Sequence, residues 1–312
     1  MGAHLVTGLP DTGRRTATPA ARPSGEDDPF GAFLPRPRLH VPASGAGPLD
    51  GLGFAVQDLI DIQGAVTGAG NPDWAAAQRP AVRSATAVEK CRAAGATMVG
   101  KTVTDELGFS LEGSNPHYGA PINPHDRNAM AGGSAAGSAV AVAAGLADFA
   151  LGVDSAGSVR TPAAFCGLWG FRPSMGRVST DGITPFVPSF DTIGWVARTP
   201  QTLRAVGLAL LEEDADDTPL TDLRVARDAV DIAAPDLAAS VARIASEWPC
   251  GAPMQAFAGL WHDHLRLYAH AQAADLSTGL GRQVSALRVR LGVDAAQRFA
   301  AAMAAAPSAI EA

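Results

Sequence analysis

Two serines and a lysine are the residues whose types and order could do chemistry together. Gly132-Gly133-Ser134-Ala135-Ala136-Gly137-Ser138 is a glycine-serine loop that runs into a small-residue segment, and Gly157-Ser158 sits in a second tight turn. Lys101 follows Gly100, and Lys90 is the one other lysine, arginine supplying the rest of the 24 basic residues. A lysine retained in so arginine-rich a chain points to a task that a permanently charged guanidinium cannot do. Serine is a weak nucleophile and needs a base together with donors for the developing oxyanion. A lysine can be that base only when neutral, a state that burial among apolar neighbours promotes.

Each feature alone has a plainer reading. A glycine-serine run is often just a flexible loop, and a lone lysine is usually a solvated surface residue. Their joint occurrence, in this order, carries the catalytic reading. A phosphate-binding loop is the rival for Gly132–Ser138, but no Gly-Lys-Ser/Thr ending follows. Arg160 reads as a brace on the second turn through a carboxylate such as Asp154 rather than as a substrate contact. Cys166, in a small apolar run, reads as buried filler. His262, His264 and His270 have spacings of 2, 6 and 8 and give no i, i+4 metal pair, so no metal is expected. Trp74, Trp169 and Trp195 fit an aromatic substrate pocket or the core equally well.

The elements that must position these residues alternate. Leu52–Val56 reads as a strand, Ala81–Ala94 as a helix stopped by Gly95, and Ala96–Val99 as a strand after which Gly100 opens a turn. Ser134–Ala144 reads as a helix stopped by Gly145, and Phe149–Val153 as a buried strand leading into Asp-Ser-Ala-Gly-Ser. Residues 1–27, rich in Pro, Gly, Arg and Thr, read as disordered. Glu212–Asp217 reads as a surface loop, Leu223–Ala226 as a short strand, and the remainder as Ala-rich helix. The fold expected is a single α/β domain over 28–312, a mixed sheet flanked by helices on both faces, with its core at about 50–200 and a helical part at about 218–312.

The stretch from Gly132 to Pro173, GGSAAGSAVAVAAGLADFALGVDSAGSVRTPAAFCGLWGFRP, resembles the amidase signature family. The flanking Gly100-Lys101-Thr102, Asp105-Glu106 and Ser189-Phe190-Asp191-Thr192-Ile193-Gly194 fit it too, so the resemblance covers about residues 28–210. Asp28-Pro29-Phe30-Gly31-Ala32-Phe33 and Gly70-Asn71-Pro72-Asp73-Trp74 are most similar to the plant-type indole-3-acetamide hydrolases. The resemblance implies a Ser–Ser–Lys triad. Ser158 would attack the amide carbonyl and form an acyl-enzyme. Ser134, held after a cis peptide bond, would relay the proton, and neutral Lys101 would draw it. The backbone N–H groups of Ala156, Gly157 and Ser158 would bind the oxyanion. Cleavage of a small amide, an aryl-acetamide for example, to carboxylate and ammonia would need no cofactor.

Three departures stand against that pattern. Ala156 takes the place of a second glycine, and a positive φ there would strain it and displace the oxyanion donors. Ala135 stands where a second serine is common. About a hundred residues follow the SFDTIGW run, fewer than the family has, which fits either a compact variant or a truncated chain. These departures leave a second function open, that of a catalytically impaired or non-catalytic binding or scaffold protein on the same fold. A net charge of −7 argues against nucleic acid as partner. Three scattered cysteines, no secretory leader and no unbroken apolar span make a soluble, cytoplasmic protein the expectation, with no membrane partner. The oligomeric state stays open, a homodimer included.

Overall fold

The computed structural model describes residues 28–35, 37–211 and 222–310, the side chains of 306–310 excepted. The stretches read as a disordered N-terminus and as the Glu212–Asp217 loop lie outside them. Two compact units result, one holding 28–211 with 270–310 and the other 222–269.

The larger unit is built on β1 (Gly53–Gln57), β2 (Thr97–Thr102), β3 (Phe149–Asp154), β4 (Trp169–Phe171) and β5 (Thr192–Ala197). They lie in the order β2-β1-β3-β5-β4. β1 is parallel to both β2 and β3, whereas β5 runs antiparallel to β3 and β4, so the sheet is mixed. Its helices are α1 (Pro72–Ala77), α2 (Thr86–Ala93), α3 (Ala136–Ala143), α4 (Arg160–Phe165) and α5 (Pro200–Leu210). The smaller unit has α6 (Arg227–Asp231), α7 (Pro235–Glu247) and the start of α8 (Trp261–Thr278), and α9 (Leu280–Ala286) and α10 (Val293–Ile310) follow.

Strand residues alternate between two cores, as the two-residue period of a strand requires. Phe54, Val56, Phe149, Leu151, Ile193 and Trp195 join Val88 and Cys91 of α2 and Val206 and Leu210 of α5 on one face. Ala55, Ala150 and Val196 meet Ala139, Val140 and Ala141 of α3 and Ala163 of α4 on the other. The second face is alanine-rich because α3 lies close. A side chain at Gly137 would come within 2.2 Å of the Ala32 carbonyl oxygen, so this turn of α3 admits glycine alone. The mixed sheet with helices on both faces is the fold the sequence implies.

Three elements differ from expectation. The helix read from Ala81 begins at Thr86, because Ala81 is taken by a parallel bridge to Gln63. Gly100 does not open a turn. β2 continues through it to Thr102, placing Lys101 inside the strand opposite Val56. The glycine is there for packing, since a Cβ would lie 2.5 Å from the Phe33 ring. Leu223 and Ala226 make isolated parallel bridges to Cys250 and Met254 rather than a strand of the sheet.

Candidate active site

The carboxyl ends of β1, β2 and β3 and the start of α3 bring the chemically capable residues to one end of the sheet. Ser134 follows a cis Gly133–Ser134 peptide, two residues before α3 begins. Its carbonyl accepts from the Asp105 N–H at 3.1 Å and from the Thr104 hydroxyl at 3.0 Å. Its Oγ accepts from Gln57 Nε2 at 3.1 Å. Ser158 lies four residues beyond β3, and its carbonyl accepts from the Ala135 N–H at 3.1 Å, which fastens the two serine segments together. Both serines are buried.

Asp154 organises the Ser158 turn. Its Oδ1 accepts from the Gly157 N–H at 2.7 Å and its Oδ2 from the Val159 N–H at 3.2 Å. Arg160 forks onto both oxygens at 3.0 Å, and Arg172 donates to Oδ1 at 3.1 Å and also to the Asp154 carbonyl. Burial alone would raise this carboxyl, but the Arg160 guanidinium and the turn N–H groups outweigh burial and hold it below the usual carboxylate range. Behind the turn, Ser155 Oγ donates to Asp191, whose carboxylate also takes the N–H groups of Phe186 and Val187 at 2.8 and 3.0 Å. Burial pushes the Asp191 carboxyl up.

Of the three N–H groups expected around an oxyanion, that of Gly157 is therefore turned toward Asp154. The amides of Ala156 and Ser158 take no acceptor among the described residues. Among those residues the non-glycine positions with positive φ are Ala69, Leu107, Ala258 and Arg288. Ala156 is not one of them, so the strain feared for an alanine does not arise. Gly157, at φ +118°, is where the turn does require glycine.

Lys101 sits in polar rather than apolar company. Its Nζ lies 2.8 Å from Asp58 Oδ1 and donates to Thr67 Oγ1 at 3.0 Å. Thr67 in turn donates to Asp61 at 2.6 Å, and Asp58 Oδ2 accepts the Gly68 N–H at 3.1 Å. Both members of the pair are buried. The structure thus joins Ser134 to the Ser158 segment and ties Lys101 to Asp58. The side chain that donates to Ser134 is Gln57.

Asp105 underlies the same loop. Its Oδ2 accepts the Gly113 N–H at 3.0 Å and would lie 2.3 Å from a Cβ on Gly133, and its Oδ1 is buried without a hydrogen bond. Burial raises its carboxyl to about 7. Trp74 and Trp195 are core residues at 3 % and 1 % exposure, whereas Trp169 is half exposed on edge strand β4. Cys166 is buried and its thiol pushed up to about 11, which suits filler. Among the described residues no group of three or more His, Cys, Asp or Glu side chains is arranged to hold a metal ion. A cavity of about 370 Å³ opens between residues 106–116 and 292–298, lined by Glu106, Phe109 and Arg298 among others and by none of Lys101, Ser134 and Ser158.

Residues 39–246, two thirds of the chain, match the amidase family. The chain belongs to the amidase signature family. It is 49 % identical over 186 residues to Amidase 1 of Arabidopsis thaliana, covering 59 % of this chain and 44 % of that protein. It is 48 % identical over 188 residues to translocon at the outer membrane of chloroplasts 64 of Pisum sativum, covering 59 % and 32 %. A solved amidase structure matches with a TM-score of 0.73 at 28 % identity, over 85 % of this chain and 62 % of that one. This amidase-family chain thus spans less than half the length of the curated relatives it matches. No helix of its described residues is long and apolar enough to cross a membrane.

Sequence reasoning missed Gln57, Asp58, Thr104 and Arg172. The signal for the first two was available: a Gln-Asp pair closes the otherwise apolar strand Gly53–Val56, and polar residues buried at a strand's carboxyl end need a reason.

Proposed function

We propose that the protein hydrolyses the C–N bond of a small amide through an acyl-enzyme on Ser158. The observation that carries the reading is the fastening of the Ser134 and Ser158 segments, Ala135 N–H to Ser158 carbonyl, beside a turn already braced by Asp154. Ser158 Oγ attacks the carbonyl carbon while its proton passes to Ser134 Oγ. As the C–N bond breaks, the Ser134 hydroxyl proton goes to the departing nitrogen, so ammonia leaves from a primary amide. Water then reverses the relay to release the carboxylate. The amides of Ala156 and Ser158 supply oxyanion donors, each worth about 3 kcal/mol where geometry is right.

In this reading Lys101 holds Asp58 and, through Thr67, the loop beside it, rather than serving as the base expected from the sequence. A second reading is favoured by the Gln57 contact: a neutral carboxamide, not a base, meets Ser134, as a binding or scaffold member of the family could afford. Ammonia release from a panel of primary amides, aryl-acetamides included, tests both readings alongside thermal shift with the same compounds. Release that vanishes in Ser158→Ala supports hydrolysis. Thermal stabilisation without release supports binding and overturns the first reading.

A further inference from the structure

The smaller unit, 222–269, has no hydrophobic core of its own, since Asp228 alone among its residues is buried. A unit of this size folds by removing apolar surface from water, so side chains from elsewhere must complete it. α7 shows which face is left over. It starts on Pro235 and is amphipathic, with Asp236, Arg243 and Glu247 along one flank. At about 100° per residue, Leu237, Ile244 and Trp248 fall on one stripe beside that flank. On the far side of the stripe Ala238, Val241 and Ala245 are half-buried, so the helix is seated there. Leu237, Ile244 and Trp248 are left 56, 51 and 49 % exposed, and α7 buries no residue at all.

We propose that this stripe is where two copies of the chain pair, α7 against α7, about a two-fold axis. In such an interface residue i meets j and j meets i. With the helices antiparallel and the axis beside Ser240 and Val241, Leu237 meets Ile244 of the partner subunit, and the reverse. The same register sets Asp236 about two residues, roughly 3 Å along the helix, from Arg243 of the partner subunit, twice per dimer. Ser240 on the seam is small enough to let the helices approach. Together with Ile232 at the helix entry, the three stripe side chains leave on the order of 500 Å² of apolar surface open per copy. A standard interface takes about 800 Å² per partner, and the polar flank supplies the remainder. Two acids against one arginine on that flank disfavour a membrane surface, which selects helices rich in lysine and arginine. The pairing is independent of the hydrolytic reading.

Analytical ultracentrifugation of the full chain from about 1 to 200 µM reads the association. A dimer that dissociates on dilution is the expected result, and a monomer at the highest concentration overturns the proposal. Leu237→Glu combined with Ile244→Glu should weaken the dimer by roughly a hundredfold or more while far-ultraviolet circular dichroism stays level, both side chains being exposed. A dimer that survives this change lies elsewhere on the molecule and overturns the proposal too. Should the double variant not fold, cross-linking decides. Cys91 and Cys166 are buried, so in a Cys250→Ser background an introduced thiol is the reactive one. Ser240→Cys, beside the axis, should be joined to its counterpart by a bismaleimide spanning about 8 Å, the distance between packed helices, and intact mass should double. Ser246→Cys, on the opposite side of the helix, should stay single. Equal cross-linking of both, or of neither, overturns the pairing.

Discussion

The Ser158 turn and the Lys101 strand lie in one unit and are built on opposite plans. Around Ser158 a single carboxylate, Asp154, gathers two arginines and takes the N–H groups that fix the backbone of the turn. Around Lys101 the charges cancel within the pair, and its hydrogen bonds lead on to Thr67 and Asp61. The Ser158 side uses its carboxylate to fix a turn, whereas the Lys101 side sets one buried charge against another. The two regions differ in what their charges hold: backbone at the Ser158 turn, a partner side chain at Lys101.

The largest effect expected is on the nucleophile. Ser158→Ala should remove ammonia release by about a thousandfold or more with Tm unchanged, read by kcat on one amide and by calorimetry. Turnover near the wild-type rate would dissolve the comparison altogether. Asp154→Asn should destabilise by about 3 kcal/mol, because it removes the charge that part-buried Arg172 meets and weakens the acceptor of the turn N–H groups, and urea unfolding checks it. The depressed carboxyl gives a sign as well. Asp154 contributes stability above the ordinary carboxylate value, lost as pH falls through its lower folded value, and Asp154→Asn should flatten that acid limb.

Lys101→Met leaves Asp58 buried and uncompensated, so a loss of about 3 kcal/mol in stability is expected, with kcat falling less than in Ser158→Ala. The sharper version is a pH profile. A kcat/KM that drops on the acid side in wild type, and no rescue in Lys101→Arg, would return Lys101 to the role of base. Ser134→Ala should lower kcat by roughly a hundredfold yet leave residual turnover, since a water can partly replace the hydroxyl. The smallest effect belongs to Ala156→Gly. With no positive φ to relieve, glycine should only loosen the turn, costing up to about 1 kcal/mol with kcat level or lower. A raised kcat would show that the alanine displaces the oxyanion donors after all.

Much of this arrangement is legible in the sequence, and the rest fails for definite reasons. β1, β3 and α3 declare themselves because apolar runs end in glycine or in a polar turn, as at Gly145. The placement of Lys101 does not. Gly100 looks like punctuation, but the Phe33 ring, remote in sequence, fills the space a side chain would need and the strand runs on. Gln57 and Asp58 carry no motif of their own, and their importance arises when β1 and β2 pair and bring Thr104 and Lys101 alongside. Arg172 is invisible for the same reason, since its partner Asp154 is 18 residues away and is met only after β3 turns back.

The raised carboxyl of Asp105 has a consequence for the folding reaction itself. Unfolded, this group ionises near 3.8; folded, it holds its proton up to about 7. Between those values folding therefore takes up a proton from solution at a site against the loop that carries Ser134, and the folded state loses ground as pH rises through the window. Unfolding heats measured at one pH in buffers of different ionisation enthalpy should diverge by that proton, and Asp105→Asn should remove its share of the divergence.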